Sequence, residues 1–228
     1  MPAFTPVFAA PAAAAQDADL SESEQAQLAA QASGEPVEVT GERTERDTVF
    51  ANPDGETFTL KKSIAPVRVA KAGGGWTAPD ATLVKREDGS IGPRAAVADL
   101  SFSPGGDGGD LVTIGQDGRS VSLGWPGTLP EPRLDGVRAV YEDVRPDVNL
   151  ILTATVEGFR QVLEVETLEA ATDPELASLA YGLDADGLRI REGTAGTLDA
   201  VDGNGQVVFR APSARMWNSA GRTATADR

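Results

Sequence analysis

From Val37 onward the chain is cut at short intervals by Asp-Gly dipeptides, beginning at Asp54, Asp88, Asp107, Asp117, Asp135, Asp186 and Asp202, with Asn204-Gly205 beside the last. Aspartate, asparagine and glycine tolerate the positive φ that tight hairpin turns demand, so these pairs predict type I′ turns wherever alternating apolar residues flank them. That spacing leaves no room for long helices. "TVFANPDGETFTL", "ATLVKREDGSIGPRAAV", "DLVTIGQDGRSVSLGW" and "GLRIREGTAGTLDAVDGNGQVVFRAP" each read as half-apolar runs about a turn apart, and "PVRVA" as one short run. The expected fold is mainly β, an antiparallel β-sandwich or super-sandwich built of hairpins.

The longest regular pattern follows "YEDVRPDVNLILTATVEGF", Tyr141 to Phe159. Val148, Leu150, Leu152, Ala154 and Val156 alternate onto one face, Glu157-Gly158 turns, and Phe159, Leu163 and Val165 return to the same side. Two helices complete the scheme. Leu20 to Ala32 carries a capping box at Ser21 and Glu24 but only a thin apolar face, which predicts a marginal helix. "DPELASLAYGL" places Asp173 as N-cap, Pro174 at the first helical position and Leu176, Leu179, Ala180 and Leu183 near helical spacing.

The ends read differently. "MPAFTPVFAAPAAAAQDADL" ends its apolar stretch in Ala13-Ala14-Ala15, as the core and cleavage site of a signal peptide do, yet the first positive charge is Arg43. Residues 1–19 are therefore read as a remnant signal peptide or a disordered Ala/Pro tail, 20–35 as an acidic helical linker, 36–218 as the β-rich domain and 219–228 as a disordered tail. A core of useful size is within reach of 228 residues that are 40% hydrophobic.

Composition removes many functions. No cysteine and no histidine occur, which excludes thiolate nucleophiles, sulfur-based zinc sites, Ser-His-Asp arrangements and histidine metal ligands. A formal charge of -15 and a pI near 4.4 argue against nucleic acid or anionic lipid, both of which need clustered Lys and Arg. No segment is apolar enough to span a membrane. The enzyme class least affected is a carboxylate glycosidase, for which Glu142, Asp143 and Asp147 are the candidate acids, since that chemistry needs only two suitably spaced carboxyl groups. The same residues serve as turn residues before a strand, Pro146 fixing the bend, and that is the reading taken.

Other patterns are incomplete. "DADGL" at Asp184 and "DGNGQ" at Asp202 place oxygen side chains two apart, as calcium loops do, but without the closing glutamate. "SPGGDGGD", Ser103 to Asp110, lacks the lysine of a phosphate loop and reads as a mobile loop tip. No catalytic, cofactor or metal residue is assigned, and no cofactor is expected. Candidate ligand-binding residues are Trp76, Trp125 and Tyr141, as aromatic platforms for a sugar.

Several phrases in order, "ANPDGETFTL", "APVRV", "GGGW", "DATL", "LGWPGTLPEPRLDG", "YEDVRPDVNLIL", "GFRQVLEV" and "VFRAPSARMW", give the chain a resemblance. It resembles, from about Val37 to Trp217, the N-terminal β-rich region of large secreted actinobacterial proteins carrying LamG-like jelly-roll, DNRLRE or RHS-repeat modules. It is more distantly similar to β-rich bacterial surface domains with a Y-x-x-V-x-P-G-V-D-L segment. Against those patterns this chain has Asp147 for glycine, and Asn149 and Asn218 for aspartate. The losses of charge suit hydrogen-bonding turn residues better than catalytic or metal carboxylates. The resemblance implies a secreted or cell-surface location, a stand-alone or truncated version of the longer proteins, and a non-catalytic structural or adhesive module with protein or cell-envelope glycan partners. A carbohydrate-binding module and a glycoside hydrolase are the alternatives.

Overall fold

The computed structural model describes residues 20–218 and the backbone of residues 223–224. The expected signal remnant at 1–19 and most of the tail at 219–228 lie outside the described residues. The fold is mainly β, made of antiparallel sheets of hairpins with an N-terminal helix and one short internal helix. It divides into two compact units between Ala65 and Pro66.

In the first unit α1 (Glu22–Ser33) begins where the capping box placed it. The Ser21 hydroxyl accepts the Glu24 amide at 3.3 Å and the Glu24 carboxylate accepts the Ser21 amide at 2.8 Å. It ends at Gly34, whose φ of 73° is the left-handed conformation that terminates helices. The strands β1 (Val37–Glu38), β2 (Asp47–Ala51) and β3 (Phe58–Lys62) form an antiparallel sheet in that order. The sequence reading made this helix a linker, its apolar face too thin to cover a core. Ala26 and Ala30 instead pack against Val39 and Ala51, with Val37 and Val49 beside them. Alanine's small side chain lets a helix lie close on a sheet, so a thin face suffices for a small core.

The second unit opens with a short hairpin, β4 (Val69–Ala70) and β5 (Trp76–Thr77). Then come β6 (Asp80–Lys85), β7 (Ile91–Ala95), β8 (Asp99–Phe102), β9 (Asp110–Gln116) and β10 (Arg119–Gly124). Next are β11 (Arg133–Asp135), β12 (Arg138–Arg145), β13 (Val148–Ala154) and β14 (Phe159–Val165), which form a four-stranded sheet in sequence order. After α2 (Leu168–Ala171), β15 (Gly182–Asp186) joins β10 to complete a six-stranded sheet, β15-β10-β9-β8-β7-β6. A three-stranded sheet of β16 (Arg189–Glu192), β17 (Leu198–Val201) and β18 (Val207–Ala211) follows, then the pair β19 (Met216–Trp217) and β20 (Thr223–Ala224).

The six- and four-stranded sheets feed one core, in which Leu100, Phe102, Leu111 and Val112 meet Tyr141, Leu150 and Leu152. Along β13 the expected alternation is complete, with Val148, Leu150, Leu152 and Ala154 buried and their neighbours half-buried. Each such valine or leucine contributes about 1.5–3 kcal/mol on leaving water. Leu163 on β14 lies opposite Leu150 and returns to the same core.

Two local expectations change. The internal helix is not at residues 173–183 but one turn earlier, where the Thr167 hydroxyl accepts the Ala170 amide and caps α2. Past it, the Leu176 and Ala177 amides donate three residues back, to Asp173 and Pro174, and the turn stops because Leu179 and Tyr181 are drawn onto the main core. The turn type is also narrower than expected. Among the Asp-Gly and Asn-Gly pairs only Asp117-Gly118 has both residues at positive φ, 52° and 72°. In two other turns the fourth residue is a glycine in the left-handed region: Gly89 donates to Arg86 O while Arg86 N donates to Ser90 O, and Gly205 and Asp202 repeat the pattern with Gln206.

Candidate functional site

The acidic corner between β12 and β13 is the place where the sequence concentrates chemistry. Tyr141 pairs with Leu150 and Arg145 with Val148, so Glu142, Asp143 and Val144 stand opposite the single residue Asn149. Asn149 spans the gap with both halves of its amide: its oxygen accepts the Asp143 N–H at 3.0 Å, and its nitrogen donates to Glu166 Oε1 at 2.8 Å. Asp143 itself sits at φ 51°. The turn beyond has Pro146 followed by Asp147 at φ 56°, the pattern of a type II turn, where glycine is the usual second residue. Asp147 compensates by accepting the Thr167 hydroxyl at 3.0 Å and, through its carbonyl, the Glu166 amide at 2.9 Å. Glu142 pairs with Arg133 at 3.1 Å.

These contacts make the corner a splice between strands. The Glu142 and Asp147 carboxylates hold neighbouring elements in register, and Asp143 contributes its backbone.

The aromatic candidates are not brought together. Tyr141 is 0% exposed, and its hydroxyl donates to the Ser103 carbonyl at 2.7 Å. Burial raises its phenol pKa far above the ordinary value. Trp125, 8% exposed, meets Tyr181 edge to face with centroids 5.7 Å apart, while Gln161 donates to the Tyr181 hydroxyl at 2.6 Å. Both Trp125 and Tyr141 belong to the main core and present no open face to a ligand, which corrects their reading as platforms. The physical reason is position: Tyr141 shares a face with Leu150, its cross-strand partner. Trp76 is half-buried on β5, with the Arg68 guanidinium 5.8 Å from its ring. Trp217, at 56%, is the most open of the three tryptophans, and nothing in its sequence setting singles it out.

Of the two oxygen-rich segments, the one at Asp202 is a turn closed by backbone donors and the one at Asp184 is a strand. One Asp202 oxygen accepts the Asn204 and Gln206 amides, both at 2.9 Å. Asp184 and Asp186 lie on β15, opposite Ser122 and Ser120. Among the described residues no group of three acidic side chains is arranged to hold a metal ion. The first half of the glycine-rich loop is held: Tyr141 donates to Ser103 O, Gly106 and Leu129 exchange backbone hydrogen bonds, and Thr128 donates to Asp107, while Gly108 and Gly109 at the tip have open space around them.

Sequence reading passed over one arrangement. On β17, Asp199 stands opposite Arg191 of β16 and Arg210 of β18. Arg210 approaches its carboxylate at 2.7 Å and Arg191 at 3.3 Å. Hydrogen bonding from Arg210, opposed by burial and aided by Arg191, holds the Asp199 pKa below the ordinary carboxylate value. The signal is a matter of register and emerges only once both hairpin loops are counted.

No known family model, curated protein or solved structure matches this chain.

Proposed function

We propose that this chain is a non-catalytic structural or adhesive module of the secreted space or cell surface, of the kind found near the N-terminus of large secreted proteins. The supporting observation is the use made of its acidic corner: Glu142 joins β12 to Arg133 of β11, and Asp147 and Asn149 join β12, β13 and the segment after β14. The ordered phrases that resemble secreted actinobacterial proteins point the same way. Partners are proteins or envelope glycans, and sheet edges offer one contact surface, with Phe58 and Leu60 exposed on β3.

A carbohydrate-binding module is the second reading, favoured by exposed Met216 and Trp217 on β19. The deciding experiment incubates the full chain with isolated cell walls and a soluble glycan panel, with and without calcium, and assays released reducing sugar in parallel. Retention on walls without sugar release supports the module. Retention on one neutral glycan that is lost in Trp217→Ala moves the assignment to the second reading, and release of reducing sugar overturns both.

A further inference from the structure

The sheet β16-β17-β18 carries a feature that runs against the charge of the molecule. Cross-strand partners share a face, so Arg191, Asp199 and Arg210 lie on one side of this sheet. Arg189, two residues before Arg191, alternates onto the same side, while Glu192 alternates away. All three arginines are exposed, whereas the Asp199 side chain beneath them is only 6% exposed. Three guanidinium groups thus face solvent against one shielded carboxylate, in a chain whose net charge is -15. Strand spacing confines their Cα atoms to an area of roughly 7 by 10 Å.

The donors are not exhausted. A guanidinium has five N–H groups in a rigid fork. Arg210 gives Nε and Nη2 to Asp199, and Arg191 gives Nη2. The Arg189 guanidinium makes no hydrogen bond or ion pair among the described residues. Asp199 therefore orients two forks in advance and leaves donors on each, and this lowers the ordering cost of an incoming anion.

We propose that this face binds the anionic oxygen groups, uronate carboxylate or phosphodiester, of an extracellular glycan. The inference deepens the adhesive part of the reading above and rests on it. Charge density selects the polymer. The surrounding negative charge repels densely charged chains such as duplex DNA, while a screening length of about 8 Å at physiological salt lets a sparsely charged glycan feel the arginines alone.

The test measures retention of the full-length chain in affinity gels containing polygalacturonate, a phosphodiester-linked glycan, neutral pullulan or duplex DNA. Arg189→Gln is the leading variant because it disturbs no contact of Asp199. It is expected to weaken retention by about fivefold, with Arg189→Glu weakening it further. Arg191→Gln, combined with Arg189→Gln, removes a second cation while Arg210 keeps the Asp199 carboxylate paired, and is expected to add to the loss. Whether the uronate or the phosphodiester gel responds tells which source carries the anion. Equal retention of wild type and Arg189→Glu, no retention on either anionic glycan, or stronger retention on DNA overturns the proposal. Binding to whole cell walls that ignores Arg189 sinks this face alone and leaves the module reading in place.

Discussion

Asn149 shows how much one side chain can hold. Its amide must both accept from Asp143 and donate to Glu166, and aspartate, though isosteric, can only accept. Asn149→Asp is expected to lose about 0.5–1 kcal/mol in urea unfolding at low salt, and less at high salt, because the new repulsion with Glu166 is exposed and screened. Tyr141→Phe removes the donor to Ser103 O at a buried site and is expected to cost about 1–2 kcal/mol, whatever the salt. Asp199 makes stability depend on pH. Its folded pKa is lowered, so its contribution is present above the unfolded value and disappears as pH falls through the folded one. Asp199→Asn should make the fall of the unfolding midpoint below about pH 4 shallower than in the wild type, the remaining fall coming from carboxylates such as Asp54 and Asp88 whose pKa values are lowered too. The acidic corner was legible in the sequence as a turn, from Pro146 and the alternation after it. The Tyr141 burial was hidden, because nothing before the bulge reveals which face a strand residue takes.

At the scale of elements, turn glycines separate by what surrounds them. Gly105 has φ +99°, and an added Cβ would stand 2.8 Å from the Pro130 carbonyl oxygen and 2.9 Å from the Glu131 nitrogen, both backbone atoms. Gly108, at φ +69°, has open space. Gly105→Ala is expected to destabilise by about 2–3 kcal/mol and Gly108→Ala by about 1 kcal/mol, measured by thermal melts. Ala195 offers the reverse case, a β-carbon at φ 59°. Ala195→Gly should stabilise by about 0.5 kcal/mol, the relief of backbone strain exceeding the added freedom of the unfolded chain. Strands such as β13 and hairpins such as β9–β10 were plain in the sequence, since alternation and turn residues act over a few positions. The internal helix was misplaced because Asp173-Pro174 is an equally good opening for a single turn, and only contacts with Leu179 and Tyr181 decide between them.

For the molecule as a whole, each unit has its own core: Ala26, Ala30, Val39 and Ala51 in the first, and the cluster from Leu83 to Ala154 in the second. A chain beginning at Pro66 is accordingly expected to unfold cooperatively in urea with its near-ultraviolet signal from Trp125 and Tyr181 intact. Loss of that transition would show the cores to be interdependent. The division was not legible because Ser63-Ile64-Ala65-Pro66 has none of the glycine- and serine-rich character of a linker. Helix and sheet in the first unit likewise join through alanines that carry little pattern.

The turn aspartates have an effect that none of their individual contacts discloses. Asp54 takes the amides of Glu56 and Thr57, Asp88 that of Ser90, and Asp202 those of Asn204 and Gln206, so in each loop one carboxylate oxygen closes the turn. Every hairpin built this way deposits a negative charge at its tip. Surface charge then accumulates with strand number, whatever the molecule is selected to bind. Such a protein gains colloidal stability from its own topology: at high concentration its copies repel one another through the same aspartates that fold them, over a range that salt shortens.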